Sequence, residues 1–246
     1  MCDNWRVVLR QDNVANISLT DAIVSNGLSV FAKYIPGKVM VIMGRAIYIG
    51  TKYSVSTTKL SFISFKVQIM SLWIGLLIGS LSIMNLNSSI QTIVLIVFFI
   101  LFFTLFLFSK GLKNIAVTII KRLFRNDIDY PLLTVSAAIK TLPSFIINWV
   151  TWCVAFYFLV ASLTTQEVPF LAGTSFATAS TLAIVSIIAP GGLGVREGLL
   201  SLLLMGFGIH KSDAITISVA SRLWFLIGEA FIFTLALLLN IKNKPF

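Results

Sequence analysis

Five charged side chains fall inside apolar stretches of the chain: Arg45, Arg196, Glu197, Arg222 and Glu229. An ionised group in hydrocarbon is costly and persists where it faces a partner, a wet cavity or a ligand, so these five are the first candidates for chemistry. Arg222 and Glu229 are seven residues apart, which at about 100° per residue places them on one helix face roughly two turns apart. Arg196 and Glu197 directly follow Pro190-Gly191-Gly192-Leu193-Gly194-Val195. Proline and glycine interrupt a helix, and irregular backbone at membrane depth survives only where protein or a cavity covers it. Pro190, Gly191, Gly192 and Gly194 therefore join the five as candidate substrate-binding residues. The helix that starts after them offers backbone N–H groups to an anion, and its dipole favours Glu197 but opposes Arg196, which needs an anionic partner. With three cations and two anions the set is net positive, and a phosphate-bearing headgroup is a natural counter-charge because arginine matches phosphate bidentately. The other reading is that Arg196/Glu229 and Arg222/Glu197, or another pairing, lock helices together. The sequence leaves both open.

No catalytic residue, cofactor or metal is expected. The chain has no glycine-rich phosphate loop ahead of a Lys-Ser/Thr pair, no nucleophile elbow and no His/Cys cluster at ligand spacing. Cys2 and Cys153 are far apart, which suggests neither a disulfide framework nor a metal site. The single histidine, His210, stands beside Lys211 in a turn and reads as an exposed loop residue.

The elements that must position these residues follow from composition. With 57% hydrophobic and 11% charged residues, the chain reads as an all-α polytopic integral membrane protein. Nineteen Lys and Arg against nine Asp and Glu would suggest nucleic acid in a soluble chain. Here most basic residues lie at helix ends, where they set orientation and meet anionic lipid, so no nucleic-acid partner is expected. Residues 1–16 read as a polar lead-in, 17–240 as the transmembrane domain and 241–246 as a basic tail. Full spans are expected at 62–84, where Lys66 snorkels to the interface, at 90–108, at 132–161 with Pro143 inside, and at 214–239. Trp149, Trp152 and Tyr157 in the third of these read as packing or interfacial residues. Residues 110–125 alternate basic and apolar positions, as an interfacial amphipathic helix does.

Two stretches are too short to span as single helices, which takes about 20 apolar residues. Residues 172–189 and 199–207 flank Pro190-Gly191, and 17–32 and 39–49 flank Pro36-Gly37. Each reads as two half-helices around a break, a re-entrant hairpin. The Lys/Arg excess of 110–125 puts that loop in the cytoplasm, and the flanks then place the tail inside as well. On that walk the Pro36 unit enters from the inside and the Pro190 unit from the outside. Two such units form an inverted repeat, which in transporters holds substrate near the bilayer midplane.

Lys33-Tyr34-Ile35-Pro36-Gly37-Lys38 with Gly44-Arg45, then Pro190 to Gly198, then Ser221-Arg222 and Gly228-Glu229, resemble the lysylphosphatidylglycerol synthase transmembrane family, also called flippase-like. The resemblance runs from about Trp5 to the C-terminus and implies a membrane domain that moves a lipid between leaflets. In two-domain members a soluble synthetase follows; this sequence ends at Phe246, shortly after its last span, so that domain and its aminoacyl transfer are not expected. The function expected is a lipid translocase in the cell membrane, acting on an anionic, aminoacylated or polyprenyl-phosphate-linked lipid. The alternative is a non-transporting membrane partner of a separate glycosyltransferase or lipid synthetase.

Overall fold

A computed structural model describes residues 2–35, 39–85, 90–109, 111, 134–185, 192 and 194–242. Pro190, Gly191, the Pro36-Gly37 turn, the loop at 86–89, nearly all of the basic stretch 110–125 and the end of the tail lie outside these residues. Among the described residues every regular element is a helix: α1 Cys2–Gln11, α2 Leu19–Ser29, α3 Val39–Tyr53, α4 Thr57–Asn85, α5 Ile90–Phe108, α6 Val135–Leu163, α7 Ser175–Val185, α8 Val195–Gly206 and α9 Lys211–Lys242. Short 3-10 turns, Val30–Tyr34 and Phe170–Thr174, extend α2 and precede α7.

The long elements are where hydropathy puts them. Helices α4, α6 and α9 have 29, 29 and 32 residues and satisfy the length and apolarity of a membrane span. Their polarity is inverted relative to a soluble helix. On α9, Leu223, Ile227, Phe231 and Leu238 are exposed while Ser218, Ser221 and Glu229 are buried, as expected when lipid is the solvent. Pro143 lies inside α6, which begins at a Thr134 N-cap accepting from the Ala137 N–H at 3.2 Å and continues through the proline.

The four helices flanking the two breaks are short, with 11, 15, 11 and 12 residues in α2, α3, α7 and α8. Their packing repeats across the molecule. Helix α2 lies against α3 and α9, as α7 lies against α8 and α4; α3 packs on α4, as α8 packs on α9; α1 touches α2 and α4, as α6 touches α7 and α9. Exchanging the two halves of the chain thus maps most of one set of neighbours onto the other; α5, against α4, and the packing of α4 on α6 lie outside the pattern. Each half seats its first short helix on the long helix of the other half.

Small residues make those crossings close. A Cβ built on Gly27 would fall 2.5 Å from the Ala236 Cβ, and one on Gly79 would fall 2.7 Å from Thr178 Oγ1 and 2.8 Å from the Thr178 backbone nitrogen. Thr178 donates its hydroxyl to the Gly79 carbonyl at 2.6 Å, so α4 and α7 meet backbone to backbone. Gly198 on α8 has open space instead. Gly79→Ala is expected to lower stability by about 1–3 kcal/mol through forced separation of α4 and α7. Gly198→Ala is expected to leave it unchanged or raise it by about 0.5 kcal/mol. Denaturation midpoints of the two variants in one detergent check the contrast.

Two expectations are corrected by the packing. The lead-in is no separate segment: Trp5, Val8 and Leu9 of α1 are at most 1% exposed and belong to the main core with Ile17, Ile49, Leu60 and Phe156. Its polar residues had hidden one apolar helical face, 5-8-9. Lys66 does not reach outward but is buried, with its ammonium 2.7 and 2.9 Å from the two oxygens of Asp12, which follows α1.

The free ends of α2 and α3 are clipped together by Asp21. Its carboxylate takes an ion pair from Lys52, a 2.6 Å hydrogen bond from the Tyr53 hydroxyl and a 2.9 Å bond from Ser18, whose own oxygen caps α2 at the Asp21 N–H. Burial alone would raise the Asp21 pKa, but the bonds from Lys52, Tyr53 and Ser18 hold it below the ordinary carboxylate value, while the bond to Asp21 raises that of Lys52. A lowered acid stabilises the fold above its unfolded pKa, about 4, and loses that contribution as pH falls through the folded value. A raised lysine stabilises below about pH 10 and loses its part as pH rises further. The stability gap between the wild type and Asp21→Asn should therefore be flat from about pH 5 to 9 and close below about pH 4. Thermal midpoints across pH measure it; a gap persisting at pH 3 contradicts the assignment.

Candidate functional site

Three elements bring charge to the space between the halves. The 3-10 turn Val30–Tyr34 ends α2 and carries Lys33 and Tyr34; α8 opens with Arg196 and Glu197; α9 presents Arg222, Phe225 and Glu229 along one face. Gly194 is the N-cap of α8 at φ +79°, a left-handed conformation that a residue with a Cβ rarely adopts. Its N–H donates to Glu197 Oε2 at 2.8 Å, so the first turn of α8 is closed by its own glutamate, half of a capping box. Gly192 is also left-handed at φ +74°, with a built Cβ 2.9 Å from that of Ala183.

Glu197 is the centre of one half of the cluster. Its Oε1 accepts from Arg222 NH1 at 3.0 Å and lies 3.8 Å from Arg196 Nε. Glu229 is the centre of the other, 5% exposed, ion-paired with Lys33 and accepting from the Tyr34 hydroxyl at 3.0 Å. The pairing Arg222/Glu197 is thus present. The pairing Arg196/Glu229 is not, because Lys33 has taken Glu229.

Aromatic rings hold the cations apart from lipid. The Arg196 guanidinium carbon is 4.9 Å from the Phe225 ring centroid and 5.7 Å from that of Phe176; Lys33 Nζ is 4.5 Å from Phe225 and 5.1 Å from Tyr34; Arg222 is 5.9 Å from Tyr34. Trp152 of α6 packs behind them on Phe176, Trp224 and Phe225. Ring faces attract cations and contribute more when desolvated, about 2 kcal/mol each at best. Neither guanidinium nor ring supplies negative charge, so three cations and two carboxylates leave this cluster at one net positive charge.

Arg196 carries the imbalance. Its side chain is 10% exposed, and its Nε and NH2 have no hydrogen-bond acceptor among the described residues. A buried guanidinium with two unused donors beside a helix N-terminus is chemically equipped to take a phosphate or carboxylate.

Arg45 does not join the others. It is 1% exposed and donates to Asn26 Oδ1 at 3.3 Å and the Ser64 carbonyl at 3.4 Å, between α1, α2 and α4. Its place in the cluster is taken by Lys33, which the sequence offered only as part of a motif; a lysine two residues before Ile35-Pro36, at the tip of a short-armed unit, was the available signal. Trp149 is structural, its indole N–H donating to the Ser71 carbonyl at 2.8 Å. His210 is exposed. Among the described residues no group of three His, Cys, Asp or Glu could hold a metal. A lateral groove of about 420 Å³ between α4, α6 and the second 3-10 turn, lined by Trp73, Leu77, Ile146 and Phe170, is apolar and holds none of this charge.

Three long apolar helices, polar faces turned inward and a charge cluster enclosed between them define a multi-pass membrane protein. Its sequence matches the family described as the lysylphosphatidylglycerol synthase TM region over residues 3–232. The chain belongs to that family, a membrane domain linked to lipid synthesis or lipid flipping. Neither a curated protein nor a solved structure matches it.

Proposed function

We propose that this chain moves a lipid between leaflets and that Arg196 binds the phosphate of its headgroup. The observation that carries this reading is the buried Arg196 guanidinium with two unused donors in a cluster of net positive charge. A phosphate entering there satisfies both donors, gains the dipole of α8, and competes with Glu197 for Arg222 and with Glu229 for Lys33. Site and counter-ions therefore exchange partners instead of leaving charge bare, which keeps the barrier to entry and exit low. The lipid is an anionic phospholipid, an aminoacylated phospholipid or a polyprenyl-phosphate-linked sugar, since all three present a phosphate.

Both broken units are re-entrant in this reading, so that the cluster sits near the midplane. Arg222 and Glu229 support that depth: they lie 11 and 18 residues into the 32-residue α9, roughly 16 and 27 Å along a helix about 48 Å long. The chain resides in the cell membrane with the basic loop and the C-terminus in the cytoplasm, following the distribution of Lys and Arg. The test is movement of a fluorescent anionic lipid in liposomes containing the purified protein, read by loss of signal to an impermeant quencher. Movement above the protein-free rate supports translocation. Binding of lipid without movement would instead indicate a non-transporting partner of a separate synthetase or glycosyltransferase.

A further inference from the structure

Arg45 poses a problem that the central cluster does not solve. It is a fully buried cation, and residues 1–85 contain only three acidic side chains, Asp3, Asp12 and Asp21. Each is committed elsewhere: Asp3 to Arg6, Asp12 to Lys66 through both oxygens, and Asp21 to Lys52, Tyr53 and Ser18. The remaining described carboxylates do not reach it either. Glu197 and Glu229 belong to the central cluster, Asp213 accepts from Thr164, and Glu167 is exposed. Cys2, the titratable neighbour of Arg45, supplies no charge, because burial pushes its thiol up from its ordinary value.

The surroundings of Arg45 are rich in unused donors. Its own Nε, the indole Nε1 of Trp5 and the hydroxyl of Ser64 are all buried without a hydrogen-bond partner. Arg45 touches both of the other residues: its guanidinium carbon lies 5.5 Å from the Trp5 ring centroid, and its NH2 bonds the Ser64 backbone carbonyl. A single unsatisfied buried donor is costly, and three on touching residues around one uncompensated charge share one remedy. A water accepts from such donors but leaves the charge; one negative ion meets both needs.

We infer that Arg45, Trp5 and Ser64 form a binding site for a small monovalent inorganic anion of halide size, separate from the headgroup site at Arg196. The charge calls for one negative unit. Three buried donors around one positive charge suit a small spherical ion. The bound anion neutralises Arg45 and holds α1, which supplies Trp5, against α3 and α4. It is a structural ligand of the first half of the molecule and has no part in lipid binding.

The experiment uses purified full-length protein in detergent, exchanged into sodium gluconate, with thermal midpoints measured as chloride, bromide or phosphate replaces gluconate at constant ionic strength. Chloride and bromide are expected to raise the midpoint saturably by about 3–5 °C, whereas any response to phosphate, which the Arg196 site can give, is expected to survive Arg45→Gln. Arg45→Gln should lose the halide response. Trp5→Phe, which keeps the ring and removes one N–H, should keep it with a half-saturating concentration about tenfold higher. Arg196→Gln should respond to halides like wild type, which separates this site from the proposed headgroup site. A wild type indifferent to halides would show that an internal water or no ligand serves Arg45, and the inference fails. It fails equally if phosphate alone stabilises Arg196→Gln, if Trp5→Phe titrates like wild type, or if Arg45→Gln keeps the full halide response.

Discussion

Arg196→Gln is expected to reduce movement of an anionic lipid by on the order of 100-fold, through loss of a charge-assisted bidentate contact worth about 3 kcal/mol, while the protein stays folded. The geometry predicts the second half of that result as firmly as the first. Among the described residues Arg196 has no hydrogen-bonded carboxylate: Glu197 is 3.8 Å away and keeps its bonds to Arg222 at 3.0 Å and to the Gly194 N–H at 2.8 Å when Arg196 is gone. No buried anion is orphaned, and glutamine fills most of the same volume beneath Phe176 and Phe225. The thermal midpoint should fall by no more than a few degrees. Paired measurements of lipid movement in liposomes and of melting in detergent decide it. A variant that moves lipid normally removes Arg196 from the site, and one that barely folds makes it a structural residue.

Glu229→Gln is expected to produce the opposite pattern. Glu229 is 5% exposed and its partner Lys33 sits 26% exposed in the turn of the other half, so the neutral variant leaves Lys33 facing Arg196 and Arg222 without a carboxylate. Breaking a buried pair from one side costs about 3–5 kcal/mol, and Lys33→Gln should cost a similar amount, lessened by the hydrogen bond Tyr34 still gives Glu229. The double variant Lys33→Gln/Glu229→Gln should recover most of the loss. Combining Arg196→Gln with Glu229→Gln should recover much less, because those two residues are not hydrogen-bonded partners. A stability cycle on the four proteins resolves the coupling; additive losses for Lys33 and Glu229 would contradict the pair. Since this pair ties the first short-armed unit to α9, its strength also sets how readily the two halves separate.

Several features were legible from residues and spacing because they depend on neighbours along the chain. Hydropathy located α4, α5, α6 and α9; Pro-Gly punctuation located the two interruptions; and Gly194 before Arg196-Glu197 marked the start of α8, since a dipole and a missing Cβ act within one turn. The seven-residue spacing put Arg222 and Glu229 on one face of α9, where they are found. The spacing of apolar positions in α1 was just as local but was obscured by Arg6, Arg10 and Asp12, all three of which make ion pairs or hydrogen bonds without disturbing the buried face of Trp5, Val8 and Leu9.

What the sequence by itself determined is therefore the class of molecule, the positions of the breaks and the set of charges too costly to face lipid, because each follows from local backbone preference and transfer energy. Only the tertiary structure decided which charge answers which. Lys33 meets Glu229 across 196 positions of chain because α2 is seated on α9, and Arg45 is kept from both carboxylates because α1, α2 and α4 close around it. The physical reason is that an ion pair is fixed by distances of a few ångströms between elements whose contacts are set by shape, through small residues such as Gly27 and Gly79, and that shape has no period along the sequence.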